Sequence, residues 1–236
     1  MNTPNRIYFL ENPYPNGHAL EEFEWSGRIE EDESIWFDFH LKTENYYAED
    51  DTKLNDEEED EDVDSDWDSK VVWENFHRCT MSSTFWGDNG IQISTPSEKV
   101  VFNDLIKDVL LADPFPLDDD YDYDDVAFGI YLLGHDSCAN HRITITPTAL
   151  NQFDIDWSGK IALTYVGDDE FRYDFKLNLQ NVAFDGFYYP KNWSLEKAGD
   201  FFKSRFADFE EYEFVDLNPK SNKREYKLKK GIKENP

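Results

Sequence analysis

Two kinds of side chain in this chain have the types and spacing that chemistry requires. His135, Cys138 and His141 follow an H-x2-C-x2-H spacing, with His77 and Cys79 as partners from a distant segment. Zinc accepts imidazole nitrogen and thiolate sulfur. Zinc sites, however, usually join one close pair of ligands to another, and these pairs are irregular. The plainer reading is a polar turn before Arg142, with Cys138 buried as a small apolar group. The second set is carboxylates: Asp60, Asp62, Asp64, Asp66 and Asp68 alternate, as calcium ligands do. An EF-hand loop beginning at Asp60 needs Gly at its sixth position and Glu at its twelfth, but Ser65 and Val71 stand there. No dedicated metal site, and no cofactor, is expected.

Nucleophile sets are missing too. The sequence contains no G-x-S-x-G elbow, no P-loop and no G-x-G-x-x-G. Acids are so abundant that carboxylate spacing cannot single out a general acid and base. The expectation is a protein without catalytic residues.

The charge is where the sequence speaks most clearly. It has 52 acidic against 23 basic side chains, a formal net charge of −29 over 236 residues. Two short runs carry most of it. Residues 49–68 hold 13 acids and one Lys, and residues 118–125 (DDDYDYDD) hold six acids. Residues 220–236 reverse the sign, with seven basic and two acidic residues. Acid blocks are often solvated loops. The sharper reading is a surface for a basic partner: Glu57, Glu58, Glu59, Asp60, Asp62, Asp64 and Asp66 in the first run, and Asp118, Asp119, Asp120, Tyr121, Asp122, Tyr123 and Asp124 in the second. Tyr between Asp residues offers flat faces beside charge, which suits guanidinium groups. Like charge excludes nucleic acid and anionic lipid as direct partners.

The elements that must position these runs come from an internal duplication. Phe23-Glu24-Trp25-Ser26-Gly27-Arg28-Ile29 recurs as Ile155-Asp156-Trp157-Ser158-Gly159-Lys160-Ile161. Trp36–Lys42 resembles Arg172–Asn178, and Arg6–Phe9 resembles Arg142–Ile145, in the same order. Phe171, Tyr173, Phe175, Leu177 and Leu179 alternate with period two, so each copy predicts a β-hairpin with one buried face. The repeated Trp-Ser-Gly reads as core packing at a tight spot. A helix is expected after each hairpin. One is capped at Thr95 and carries Phe102, Leu105, Ile106, Val109 and Leu110; the other is capped at Ser194 and carries Leu195, Ala198, Phe202, Phe206 and Phe209. Val71–Met81 reads as a further strand.

The expected fold is therefore α+β: two related antiparallel hairpin-plus-helix halves, residues 1–134 and 135–219, followed by a basic tail, 220–236. The first half would carry an acidic insertion at about 49–69. No segment reaches the ~20 apolar residues needed to cross a bilayer, and the N-terminus lacks a signal-like apolar stretch. With only two cysteines, this predicts a cytoplasmic protein. In physical type (acidic, cytoplasmic, without catalytic residues) the chain resembles bacterial immunity proteins that neutralise nuclease toxins, and that resemblance implies an inhibitor covering a basic active surface. Two other functions fit the composition: a DNA mimic that blocks a restriction or defence enzyme, and a carboxylate-dependent hydrolase.

Overall fold

Each Trp-Ser-Gly segment lies in the middle strand of a three-stranded antiparallel meander. The first meander is β1 (Arg6–Phe9), β2 (His18–Ile29) and β3 (Ile35–Thr43); the second is β8 (His135–Ala149), β9 (Gln152–Ala162) and β10 (Tyr173–Val182). The computed structural model describes residues 4–49, 65–87, 89–95, 99–117, 126–149, 151–221 and 225–231. Between the meanders come helix α1 (Lys70–Phe76), strands β4 (Thr80–Ser82) and β5 (Ile91–Ser94), the one-turn helix α2 (Phe102–Leu105), and strands β6 (Leu110–Ala112) and β7 (Gly129–Tyr131). After the second meander follow β11 (Phe187–Tyr188), helix α3 (Leu195–Arg205), β12 (Tyr212–Asp216) and β13 (Tyr226–Lys230).

The meanders do not form two side-by-side halves. β1 pairs with β10, and β4 and β7 carry the sheet from β3 to β8. The ring β2–β1–β10–β9–β8–β7–β4–β3 returns to β2, and every pairing in it is antiparallel. This closed eight-stranded barrel overturns the expected α+β fold of hairpin-plus-helix halves. Closure removes the open sheet edges that two separate hairpins would leave. Among the described residues, no helix is long and apolar enough to cross a membrane.

Two local readings change with it. The stripe from Phe102 to Leu110 forms a single helical turn and then becomes β6, paired with Ile143, Arg142 and His141 of β8. β7 covers only the first two residues of β8, so the rest of that edge would lack backbone partners without β6. Val71–Met81 splits instead into α1 and β4: Ser69 Oγ accepts the Val72 N–H as an N-cap, and Trp73 is buried beneath the helix. Ser194 caps α3 as its sequence suggests, accepting the Lys197 N–H at 3.1 Å.

The barrel interior is built of aromatic rings. Trp25 and Trp157 are 0% and 2% exposed. Phe39 touches both, 6.0 Å from Trp25 in a near-parallel stack and 5.5 Å from Trp157. The repeated glycines make room for further rings. A Cβ at Gly27 would collide with the Phe187 ring of β11, and one at Gly159 would come within 2.6 Å of Phe175 and 3.0 Å of His141. The copies also share an ion pair: Arg28 donates to Asp38 at 2.7 Å, and Lys160 donates to Asp174 at 2.9 Å. Their hairpin registers differ by two residues, because Gly27 faces Phe37 whereas Gly159 faces Phe175. A shift of two keeps the same face inward, so both copies retain their core.

Of the buried histidines, His18 and His141 are the ones whose protonation burial shifts most. His141 accepts the Trp157 indole N–H at 3.2 Å, and His18 stacks on Trp73 at 5.9 Å. Burial pushes both imidazoles down to about 3, from 6.5. Each is neutral in the fold and takes up its proton on unfolding. Their contribution is therefore complete above about pH 6.5 and is lost as pH falls toward about 3, amounting to ~2 kcal/mol each by about pH 5. His18→Phe keeps a ring beside Trp73 and removes one of the two. On going from about pH 7.5 to about pH 5, its unfolding free energy is expected to gain ~2 kcal/mol relative to the parent in denaturant titrations. A difference that stays constant with pH would contradict this assignment.

Candidate binding surface

The residues with metal-ligand chemistry do not converge. The pairing of β8 with β9 is broken between Ala139 and Arg142, where Asn140 adopts φ +53°, and this break turns both Cys138 and His141 inward. Cys138 Sγ donates to the Phe128 carbonyl at 3.2 Å; His135 lies exposed at the strand's start. Cys79 is buried as a free thiol. Among the described residues, no group of three or more His, Cys, Asp or Glu is arranged to hold a metal ion.

Asp136 is the carboxylate that burial perturbs within a cleft, its pKa raised above the usual range. Both its oxygens accept backbone N–H groups, from Leu133 at 2.8 Å and Tyr165 at 3.4 Å. It fastens the β7–β8 turn to the segment after β9.

Of the acids singled out for partner binding, Asp66 lies on the described part of the chain. Glu57, Glu58, Glu59, Asp60, Asp62 and Asp64, and Asp118, Asp119, Asp120, Tyr121, Asp122, Tyr123 and Asp124, lie outside the described residues. What the structure does place are the flanks of both runs. Glu49, which opens the first, is gripped by Arg6 through two hydrogen bonds of 2.8 and 2.6 Å. Arg6 also donates to the carbonyls of Asn16 and Gly17, so the grip is fixed to the β1–β2 connection. That bond is the largest cause holding the Glu49 carboxyl below its ordinary range.

Near the end of the first run the chain is pinned by Trp67, which is 1% exposed. Its indole donates to the Leu10 carbonyl at 3.0 Å, and its ring stacks on Tyr173 at 4.1 Å and 13°. Before the second run, Phe115 packs edge-on against Phe171 at 5.6 Å. Phe171 and Tyr173 are two residues apart, at the end of the β9–β10 connection. The C-terminal flank of the first run and the N-terminal flank of the second are therefore attached beside one another at one end of the barrel.

The connection they share is itself acidic. Gly167 adopts φ +83° and leads into Asp168, Asp169 and Glu170. Arg172 bonds to Asp168 at 3.0 Å and to Glu170 at 3.1 Å, but one Arg does not balance three carboxylates. The basic strand of the chain joins the barrel at another place. Lys227, Lys229 and Lys230 belong to β13, which reaches the barrel through β11 at Gly27 and Arg28, near the far end of β2. Sequence spacing alone does not single out Trp67 and Phe115 as anchors. A lone Trp inside an acidic run was the available signal, since an indole in a solvated loop has no reason to be there.

No protein-family model, no curated protein and no solved structure matches this chain. The functional reading accordingly rests on the charge and its attachment.

If Trp67 is the anchor described, Trp67→Ala costs about 3 kcal/mol or more of unfolding free energy. In hydrogen exchange, amides of β1 and of the start of β10 should lose protection first. Unchanged stability would mean that the run is not held at this end.

Proposed function

We propose that this protein is an acidic binding inhibitor that covers the basic active surface of another protein, and that it acts as an immunity protein against a nuclease-like toxin in the bacterial cytoplasm. The observation that carries the reading is a shared attachment: Trp67 on Tyr173 and Phe115 on Phe171 fasten one flank of each acidic run beside the connection bearing Asp168, Asp169 and Glu170. A nuclease groove must be cationic to bind phosphates. A concentrated field of the opposite sign steers such a partner into encounter and excludes its substrate once bound. The same field repels nucleic acid and anionic lipid, which leaves basic protein as the preferred macromolecular partner. The barrel supplies a rigid support for the charge and contributes no chemistry in this reading.

The test is stopped-flow association with a panel of purified basic nuclease toxin domains, together with their residual nuclease activity. One member is expected to be inhibited, with an association rate falling at least tenfold between about 50 and 200 mM salt. Neutralising residues 49–68 and 168–170 to Asn and Gln should slow association and flatten the salt dependence, with a smaller change in dissociation. Association indifferent to salt, or nuclease activity untouched across the panel, would refute the proposal.

A further inference from the structure

We propose that Phe85, Trp86, Tyr165 and Val166 form the apolar centre of the surface that seats the basic partner, and that the partner presents an apolar knob ringed by Arg or Lys. This rests on the functional reading above and adds to it the source of affinity.

Trp25, Trp67, Trp73, Trp157 and Trp193 are each 8% exposed or less, whereas Trp86 is 45% exposed. Phe85, Tyr165 and Val166 are 60%, 60% and 53% exposed. Phe85–Trp86 and Tyr165–Val166 are each adjacent exposed pairs, and exposed apolar groups that adjoin one another mark contact sites. Phe85 and Trp86 belong to the β4–β5 connection, with ring centroids 6.0 Å apart. Trp86 lines one side of a cleft of about 450 Å³ over β7 and the start of β8, whose lining includes Thr164 and Asp169. Tyr165 and Val166 directly follow Thr164 in the chain.

The supports beneath them are fixed. Ser82 Oγ accepts the N–H groups of Thr84 and Phe85 at 3.0 and 3.2 Å. The Phe85 ring stacks on buried His40 at 4.1 Å. Tyr165 donates its N–H to Asp136, and its ring meets Phe76 at 6.0 Å. Exposed rings on a pinned backbone lose little entropy on binding, which is the character of hot-spot residues.

Charge selects the occupant. Tyr165 and Val166 run straight into Gly167-Asp168-Asp169-Glu170, so the apolar centre has an acidic rim. A membrane with anionic headgroups is repelled by that rim, and so is a second copy of this chain. A basic protein with an exposed aliphatic or aromatic side chain satisfies both parts.

The test uses two fluorescent arginine-rich peptides of equal charge, one with a central Leu-Trp-Leu and one with Gly-Ser-Gly in its place. The parent protein is expected to bind the Leu-Trp-Leu peptide about tenfold more tightly, through slower dissociation. Trp86→Ala and Val166→Ser, both at exposed positions, should abolish that preference and leave binding of the Gly-Ser-Gly peptide unchanged. Equal binding of both peptides, or a preference untouched by the substitutions, overturns the apolar centre and leaves the acidic surface standing. If neither peptide binds, both the centre and the functional reading fall.

Discussion

Everything in this molecule depends on the meeting of Trp25 and Trp157 across Phe39. The two tryptophans come from the two copies of a duplicated segment, and Phe39 lies against both. Neither meander can bury its aromatic face alone. Once the faces turn inward on each other, the strands flanking them are brought together, and β1 finds β10. Gly27 and Gly159 sit beside the tryptophans because the rings of Phe187 and Phe175 occupy the space their side chains would take. The same contact that closes the core thus explains why Trp-Ser-Gly occurs twice.

Closure has a consequence for charge. The pairing of β1 with β10 places Leu10, Phe171 and Tyr173 at one end of the barrel. Trp67 uses the first and third of these as its acceptor and its stacking partner, and Phe115 uses the second. The end of the first acidic run and the approach to the second, about fifty residues apart in sequence, therefore share a base.

The hairpins and the role of the repeated tryptophans were legible because period-two alternation is strong over Phe171–Leu179 and because the copies keep their order. Helix α3 was legible from Ser194 and its apolar stripe. Closure was not. It depends on β4 and β7, three residues each, too short to show any period. The Phe102–Leu110 stripe misled for a tertiary reason: the open edge of β8 demanded a strand, and Val109, Leu110 and Leu111 suit a strand as well as a helix. For the binding surface, the sequence located the acid but not its attachment, since stacking of Trp67 on Tyr173 joins residues more than a hundred positions apart. Phe85 and Trp86 escaped notice because exposure of an aromatic pair is a property of the folded surface alone.

The most direct test of the account is where a basic partner touches the barrel. Zero-length carbodiimide cross-linking of the protein to the basic nuclease domain proposed as its partner joins partner lysines to the carboxylates they contact. The cross-links are expected to fall on residues 49–68, 118–125 and 168–170. Cross-links concentrated instead on Glu21, Glu22 and Glu24 of β2, or on Glu210, Glu211 and Glu213 around the start of β12, would contradict it.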